Sequence, residues 1–357
     1  MGSVSLIKSR KLRVLALLLG FVVIMLLATF FDGAYDNLRL SSKADLAITR
    51  EFTIPLREIS AMFWQRPQQQ GGSGKLFAVG DKFARLGVVD FNGRRLGRQE
   101  FWDFTPALIK RFAPCVSPEI QECHKAVGDL SSQWEGIAVD GLGKLFLLHE
   151  KFASIFVLSP DAGKLLGVMN LSGFFPKARG TPGQMPHNRD NALGEGLVLL
   201  NNGHFLVIKE RFPPAVVEFG RAGEAPQGFS ADLALAASKD FPLSEENVSY
   251  EPLQLWRLED HQHHCDLSEL TSSAAGELYV LSQQCKWIAR LSQLRPQGKF
   301  AKLSRKWYLP EQLSAAESLV VVDEQSFLVA EDRRSLHKAN VFLLHKKENE
   351  TDREKGI

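Results

Sequence analysis

Short apolar runs separated by turn-like polar segments recur along most of the chain. Four segments share one layout, in which a small motif is followed by an apolar strand that starts ten residues later. These motif and strand pairs are 135–137 with 145–148, 195–197 with 205–208, 268–270 with 278–281, and 317–319 with 327–330. A fifth copy, 60–62 with 76–79, has six extra residues in the polar stretch from Gln65 to Gly74. Such internal repetition predicts a fold built from equivalent units.

Each copy is predicted to start with a β-hairpin, because most of the turns contain a glycine that tolerates positive φ. Third strands are expected at 154–158, 215–219, 287–291 and 340–344, and fourth strands at 94–101 and 164–171. Four antiparallel strands per repeat predict an all-β fold, a β-propeller of five blades. The strand near Phe52 to Leu56 is expected to close the last blade, and residues 220–260 leave a sixth blade as the alternative.

The N-terminus has the pattern of a membrane segment. Residues 14–31 are eighteen residues without a charge, and they follow Lys8, Arg10, Lys11 and Arg13. This length is at the short end of what spans a bilayer as a helix. An uncleaved signal anchor is favoured over a cleaved signal peptide, because the nearest cleavage site would place Asp32 at position −3.

The anchor divides the chain into five predicted parts. We expect a cytoplasmic basic segment (1–13), a transmembrane helix (14–31), a linker (32–50), the propeller (51–345) and a charged, disordered tail (346–357). The basic flank would stay in the cytoplasm. The propeller would therefore lie on the periplasmic or extracellular side of the inner membrane.

Composition is that of a globular protein. The 357 residues include 43 Lys and Arg against 41 Asp and Glu, for a formal net charge of +2, and 45% are hydrophobic. This near-neutrality excludes the strongly basic surface of a nucleic-acid-binding protein.

The four cysteines fit export, since an even count is typical of an oxidising compartment. The expected disulfides are Cys115–Cys123 and Cys265–Cys285, although four cysteines allow three pairings. A zinc site built from Cys265 and the neighbouring histidines 261, 263 and 264 is the less favoured interpretation, because it lacks a second ligand group at finger-like spacing.

Carboxylates recur fifteen residues after each motif residue. Glu135 is followed by Glu150, Glu195 by Glu210 and Glu317 by Asp332, and Ser60 by Asp81 once the insertion is allowed for. The fourth copy departs, with Ser268 and Gln283. Hairpin geometry predicts that the two positions are cross-strand neighbours at the same end of each blade.

The first strand of a propeller blade lines the central channel, so one channel mouth would collect these acids. The predicted set is Glu135, Glu195, Glu317, Glu150, Glu210, Asp332 and Asp81. Such a set needs bound cations, neighbouring bases or raised pKa values. The candidate bases are Lys82, Lys151, Lys209, Arg211 and Arg333. Oxygen-rich surroundings favour Ca²⁺ as the cofactor, and a solvated ring of salt bridges is the alternative.

The chain resembles the SdiA-regulated protein family over roughly residues 52–345. The resemblance is carried by the boxes at 134–138, 194–197, 266–268 and 280–282, and by Lys209-Glu210-Arg211 followed by 213–215. The family is similar to NHL-type propellers and implies a five-bladed propeller with a calcium site behind an N-terminal membrane segment. It implies no reaction. Ala61, Glu269 and Ser318 stand where the pattern leads us to expect glycine.

Two functions follow from these observations. The first is a membrane-anchored, calcium-binding propeller that acts as a ligand-binding or interaction module for a periplasmic protein or small molecule. The second is a metal-dependent hydrolase similar to phytase-like esterase or lactonase propellers, with Glu195, Glu210 or His187 as candidate base. Nucleophilic catalysis has little support, because there is no Gly-x-Ser-x-Gly elbow and no glycine-rich phosphate loop.

Overall fold

The computed structural model describes residues 44–67, 72–112, 132–150, 152–171, 194–211, 213–236, 238–243, 247–259 and 265–347. Several sequence expectations lie outside these ranges: the anchor at 14–31, the Cys115–Cys123 pair, Lys151, His187, the three histidines at 261–264 and the last ten residues. Within the described ranges, no helix is long and apolar enough to cross a membrane.

Strand β1 (Leu46–Phe52) opens the described chain and is followed by four blades of four antiparallel strands. Blade I contains β2 (Ile59–Gln65), β3 (Gly74–Gly80), β4 (Phe83–Phe91) and β5 (Leu96–Asp103). Blade II contains β6 (Trp134–Val139), β7 (Leu145–His149), β8 (Ser154–Leu158) and β9 (Leu165–Leu171). Blade III contains β10 (Glu195–Leu199), β11 (Phe205–Lys209), β12 (Ala215–Arg221) and β13 (Asn247–Glu259). Blade IV contains β14 (Glu269–Ser272), β15 (Leu278–Ser282), β16 (Trp287–Leu291) and β17 (Phe300–Tyr308).

Blade V is completed by both ends of the described chain. It contains β18 (Ala316–Val321), β19 (Ser326–Glu331) and β20 (Val341–Lys346), and β1 pairs with β20 as its outer strand. The five innermost strands β2, β6, β10, β14 and β18 contact one another in this order, and β18 contacts β2 again. This closed ring makes the fold a β-propeller.

Burial explains why the apolar runs form these strands. The second strand of each blade is buried along almost its whole length, as in β7 and β11, whereas most residues of β5 and β17 at the outer edge are exposed or half-buried. Apolar clusters fill the spaces between neighbouring blades. Between blades I and II, Phe104 packs edge-to-face on Trp134 with ring centroids 5.1 Å apart.

The closing strand lies earlier than expected. Strand β1 pairs Leu46 with Lys346 and Phe52 with Val341, so it begins inside the segment predicted to be a linker. Residues 53–56 are held instead by one side chain, because the Asn340 amide donates to the carbonyls of Ile54 (2.8 Å) and Leu56 (3.1 Å). The Asn340 amide oxygen accepts from the Ile54 N–H at 2.9 Å.

The described residues between 220 and 260 do not form a sixth blade. They supply the long outer strand β13 of blade III, whose ends also pair in parallel with β9 and β17. Before β13, part of this stretch lies at the C-terminal ends of the innermost strands, where the Leu235 N–H donates to the Leu199 carbonyl at 3.1 Å. We call residues 231–236 the cover segment.

One short helix was not expected from the sequence. Helix α1 (Thr105–Phe112) follows β5 directly, and the Asp103 carboxylate accepts from the Thr105 N–H at 2.9 Å. This bond satisfies one of the N–H groups that the start of a helix leaves without an intrahelical acceptor.

Candidate functional site: the carboxylate mouth

All seven predicted acids line one cavity at the N-terminal end of the innermost strands. The cavity measures about 260 Å³ and receives side chains from all five blades. Its carboxylates are Glu58, Asp81, Glu135, Glu150, Glu195, Glu210, Glu317 and Asp332. We call these eight groups the carboxylate mouth. Ser268 and Gln283 of blade IV, which break the carboxylate pattern in the sequence, also line it.

The register that brings these acids together differs from the predicted one. Direct pairing of Glu135 with Glu150 was expected, but Trp134 pairs with His149 and Gly136 with Leu148, which leaves Glu135 in a β-bulge. Equivalent bulges occur between Ile59 and Ala61, between Glu195 and Leu197, and between Ala316 and Ser318. Bulges re-aim side chains. They therefore separate the two acids of a blade while keeping both at the mouth.

The second acid position of each blade, which is Gln283 in blade IV, follows the last residue of the second strand. That last residue is a buried polar group in four blades, and it holds the mouth loop with a different chemistry in each. In blade III, Lys209 donates to the Arg211 and Pro213 carbonyls. In blade V, Glu331 accepts from the Ser314 N–H at 2.7 Å and pairs with Arg333.

Hydrogen bonds between blades fix the mouth loops relative to one another. The Glu58 N–H donates to the Arg333 carbonyl (3.1 Å), and the Gln133 N–H donates to the Asp81 carbonyl (2.7 Å). Glu58 and Gln133 both have positive φ, at 49° and 71°. Such backbone costs of order 1 kcal/mol per residue and is often concentrated at functional sites.

Few cations balance these acids in the described structure. Lys82 pairs with Asp81 and lies 3.6 Å from Glu58, while Arg211 pairs with Glu210 and lies 3.8 Å from Asp266. The exposed Arg334 reaches Glu58 at 3.1 Å.

Two of the predicted neutralising bases act elsewhere. Lys209 caps carbonyl groups and Arg333 pairs with the buried Glu331. Among the described residues, the cavity is therefore lined by eight acids and only two basic side chains, Lys82 and Arg211.

Five of these acids have raised pKa values. Burial, together with Asp81 and Glu150, raises the pKa of Glu135 well above its usual range, and burial and Glu135 do the same for Glu195. Burial and the charge of Asp332 raise the pKa of Glu317 to about 8. Burial raises the pKa of Glu210 to about 7, although Arg211 opposes the shift. Desolvation by burial is the largest cause of these shifts, and neighbouring carboxylates add to it.

The ligand atoms at the mouth suit a hard cation. The acids offer carboxylate oxygens, and no sulfur atom is among the described residues that line the cavity. The side chains are not converged as they stand: within the described ranges, no three His, Cys, Asp or Glu groups are placed to hold a metal ion. Binding would therefore require carboxylates to rotate toward a common point.

Blade IV contributes a braced loop in place of acids. Cys265 and Cys285 form the expected disulfide. Between them, the Asp266 carboxylate accepts from the Ser282 hydroxyl (2.8 Å) and the Gln284 N–H (2.9 Å). The Ser268 hydroxyl donates to the Ala316 carbonyl of blade V at 3.2 Å, which links this loop to the next blade.

Sequence reasoning missed two acids near the mouth. Glu58 lies outside the fifteen-residue spacing that identified the other acids. Like Gln133, it has a left-handed backbone conformation. Glu269 occupies the bulge-flanking position that is Gly136 in blade II and Gly196 in blade III.

The Glu269 side chain is buried in the channel. Its carboxyl accepts from the Leu270 N–H (2.9 Å) and the Ser318 hydroxyl (3.1 Å), and also from the N–H groups of Met62 and Leu319. Gly196 leaves room for it, because a Cβ there would lie 2.5 Å from the Glu269 Oε1 atom. Burial raises the Glu269 pKa well above its usual range, and these four donors oppose that shift.

Comparisons with known proteins give remote structural matches. No protein-family model and no curated protein matches the chain. A virginiamycin B lyase from Staphylococcus aureus is 10% identical with a TM-score of 0.41, covering 85% of this chain and 99% of the lyase. A Myxococcus xanthus glutaminyl cyclase is 11% identical with a TM-score of 0.45, covering 84% of this chain and 95% of the cyclase. Similarity this low carries no argument about function.

Proposed function

We propose that the chain is an exported calcium-binding propeller whose carboxylate mouth is a cation-dependent site for a protein or small-molecule ligand. The observation that carries the proposal is the gathering of eight carboxylates from four blades around one cavity with two basic side chains. The N-terminal anchor and membership of the SdiA-regulated family are part of the same proposal, supported by the apolar residues 14–31 and by the sequence boxes.

A bound divalent cation would account for the electrostatics of the mouth. Without a cation, burial and the neighbouring carboxylates raise the pKa values of Glu135, Glu195 and Glu317, so these groups retain protons. Ca²⁺ takes six to eight oxygen ligands in flexible geometries. Bulged strands and adjacent loops from several blades can supply such a set once the side chains rotate inward.

The test is the thermal melt of the full chain in EDTA, then with added Ca²⁺ or Mg²⁺. A cation that binds only the native state at a hundredfold over its Kd stabilises by about 2.7 kcal/mol. We expect Ca²⁺ to raise the melting temperature, and Glu195→Gln or Glu317→Gln to reduce that rise. Glu100→Gln, on the outer strand β5, is the matched control and should respond like the parent.

An unchanged melt with both cations would contradict the calcium site. So would an equal calcium response in the parent, Glu195→Gln and Glu317→Gln. The mouth would then be a salt-bridged structural feature, and the ligand would have to be sought without a metal.

A metal-dependent hydrolase is the second candidate, and one observation favours it. The pKa of Glu210 is raised to about 7, where a general base works best at neutral pH, and Arg211 lies beside it. If the mouth hydrolyses a phosphoester or a lactone, Glu210→Gln should lower kcat at least a hundredfold, in the range of about 10²–10⁴ that general bases contribute. Loss of kcat with an unchanged calcium-induced melting shift would separate a base from a metal ligand. An unaltered kcat would exclude Glu210 as the base.

A further inference from the structure

A second cavity lies at the opposite end of the channel from the carboxylate mouth. It measures about 300 Å³ and lies between the C-terminal ends of the innermost strands and the cover segment. Its wall combines the apolar side chains Phe63, Val139, Leu235 and Val320 with the polar Arg66, Thr271 and Ser272. We call this the far-end cavity. The apolar residues of the middle channel, such as Ile137 and Leu270, lie between it and the mouth.

Arg66 gives this cavity a positive charge, and none of the described residues that line it is acidic. The residue is partly buried, and among the described residues no carboxylate lies within salt-bridge distance of its guanidinium. Arginine is rarely buried without an acidic partner, because an unpaired charge loses hydration that nothing replaces. Burial accordingly lowers the pKa of Arg66.

The guanidinium is also held in a fixed position. Its Nη2 atom donates to the Val321 carbonyl of blade V at 2.6 Å, and its central carbon lies 5.1 Å from the centre of the Trp64 ring. Arginine has five N–H donors, and this single hydrogen bond leaves the others available to a ligand. The Thr271 and Ser272 hydroxyls on the opposite wall make no hydrogen bond to another described side chain.

From this arrangement we infer that the far-end cavity binds a small organic carboxylate with an apolar body. The carboxylate would pair with Arg66, whose planar fork matches that group with two parallel hydrogen bonds. The body would lie against Phe63, Leu235 and Val320, and Thr271 and Ser272 could bond any further oxygen. This site is independent of the carboxylate mouth and needs no metal.

Phenylacetate and its neutral amide, phenylacetamide, are the probes, since they share an apolar body and differ in charge. With the purified full chain and about 10 mM probe, we expect phenylacetate to raise the melting temperature by a few degrees and phenylacetamide to leave it unchanged. Acetate and inorganic phosphate, which lack the apolar body, should have smaller effects. Tryptophan fluorescence gives a second readout, because Trp64 lines the cavity, and Trp64→Phe should reduce the signal.

Arg66→Met keeps the length of the side chain and removes its charge. We expect phenylacetate to bind this variant at least tenfold more weakly by calorimetry, and Arg66→Lys to retain part of the affinity. Each melting shift is taken relative to the same variant without probe, which separates ligand binding from any loss of the Val321 hydrogen bond. Arg98→Met, an exposed arginine on β5, is the control and should bind phenylacetate like the parent.

Three results would overturn the inference. The first is no shift of the parent with phenylacetate, the second is equal shifts with phenylacetate and phenylacetamide, and the third is unchanged phenylacetate affinity in Arg66→Met. If any of these is found, Arg66 serves only to tie the end of β2 to blade V.

Discussion

Glu269 shows how one side chain can organise the centre of a propeller. Its carboxyl group joins the innermost strands of blades I, IV and V through four donors, and it fills the space beside Gly196 of blade III. The other innermost strands carry Ala61, Gly136, Gly196 and Ser318 at the equivalent position, so the channel has room for a single large side chain. Glu269 is therefore a structural acid below the mouth, distinct from the acids that line it.

Removal of this carboxyl group should be costly. Glu269→Ala leaves three backbone N–H groups and a hydroxyl without an acceptor in a buried site, and each such group costs about 1–3 kcal/mol. We expect a loss of at least about 3 kcal/mol in the free energy of unfolding, measured by urea denaturation. Glu269→Gln keeps one acceptor oxygen and should lose less. Equal stability of Glu269→Ala and the parent would mean that the channel closes without this carboxyl.

The mouth also depends on side chains that are not themselves in contact with the cavity. Lys209 and Glu331 are each buried at the end of a second strand, and each holds the backbone of the loop that presents an acid. Their chemical types differ although their positions are equivalent. A repeat can thus keep its geometry while its loop-supporting residue changes from base to acid.

The segment that follows β12 is attached to blade III by a buried histidine. The His204 Nδ1 atom lies 2.6 Å from Glu218 and its Nε2 atom lies 3.1 Å from Glu224. Glu218 in turn accepts from the N–H groups of Gln227 (2.9 Å) and Gly228 (2.8 Å). These contacts fix the approach of the chain to the cover segment.

This brace should make stability depend on pH. Burial alone would lower the His204 pKa, but the bonds and charges of Glu218 and Glu224 outweigh it and raise that pKa above 6.5. A raised pKa means that the stabilisation is fully present below about pH 6.5 and is lost as pH rises through the folded-state value. We expect the stability advantage of the parent over His204→Gln to shrink between pH 6 and pH 8 in urea denaturation.

Arg98→Met, at an exposed position of the outer strand β5, supplies the control for this measurement. Its difference in stability from the parent should not change between pH 6 and pH 8. A constant difference between the parent and His204→Gln would show that the histidine does not titrate in this range.

Most strands of the fold could be predicted because burial on both faces leaves continuous apolar runs, as in Leu145–His149 and Phe205–Lys209. Strand β1 could not, because it is an outer strand whose consecutive residues Thr49, Arg50 and Glu51 are exposed, so its sequence resembles a linker. The cover segment lies against strand ends through backbone hydrogen bonds, which leave no periodic pattern.

The site was partly predictable for a similar reason. The spacing of the acids could be read from the repeat, but a one-residue bulge leaves that spacing unchanged, so Glu135 and Glu150 were wrongly expected to pair directly. Glu269 was noted only as a departure from the glycine that the repeat leads us to expect, and its hydrogen-bond partners left no signal in the sequence. Only the close approach of four blades in three dimensions identifies the donors around it.

The central channel has two ends of opposite chemical character. Acids crowd the N-terminal ends of the innermost strands, whereas the C-terminal ends present Arg66, two hydroxyls and apolar side chains beneath the cover segment. Apolar residues of the middle channel separate them. Two ligands of opposite charge could therefore occupy the same ring of strands without direct contact.

The acidic end makes a prediction that depends on the four acid-bearing blades acting together. Folding raises the pKa of Glu317 to about 8 and of Glu210 to about 7, so the free protein holds extra protons at neutral pH. Because these folded-state values lie above the unfolded ones, the stability of the metal-free chain should fall as pH rises from about 5 to 8. Ca²⁺ requires ionised carboxylates, so its binding should release protons and strengthen as pH rises.

Calorimetric titration of the full chain with Ca²⁺ at pH 7, in buffers of different ionisation enthalpy, measures this release directly. We expect at least one proton per bound ion, and fewer for Glu317→Gln because that variant has no proton to lose at this position. Calcium binding without proton release would place the ion away from the crowded acids, on carboxylates that are already ionised. If Glu317→Gln releases fewer protons per bound ion than the parent, and Glu100→Gln releases as many, the ion is assigned to the mouth. The reason is that the buried acids of the mouth carry protons before Ca²⁺ is added, whereas Glu100 lies on the outer strand β5.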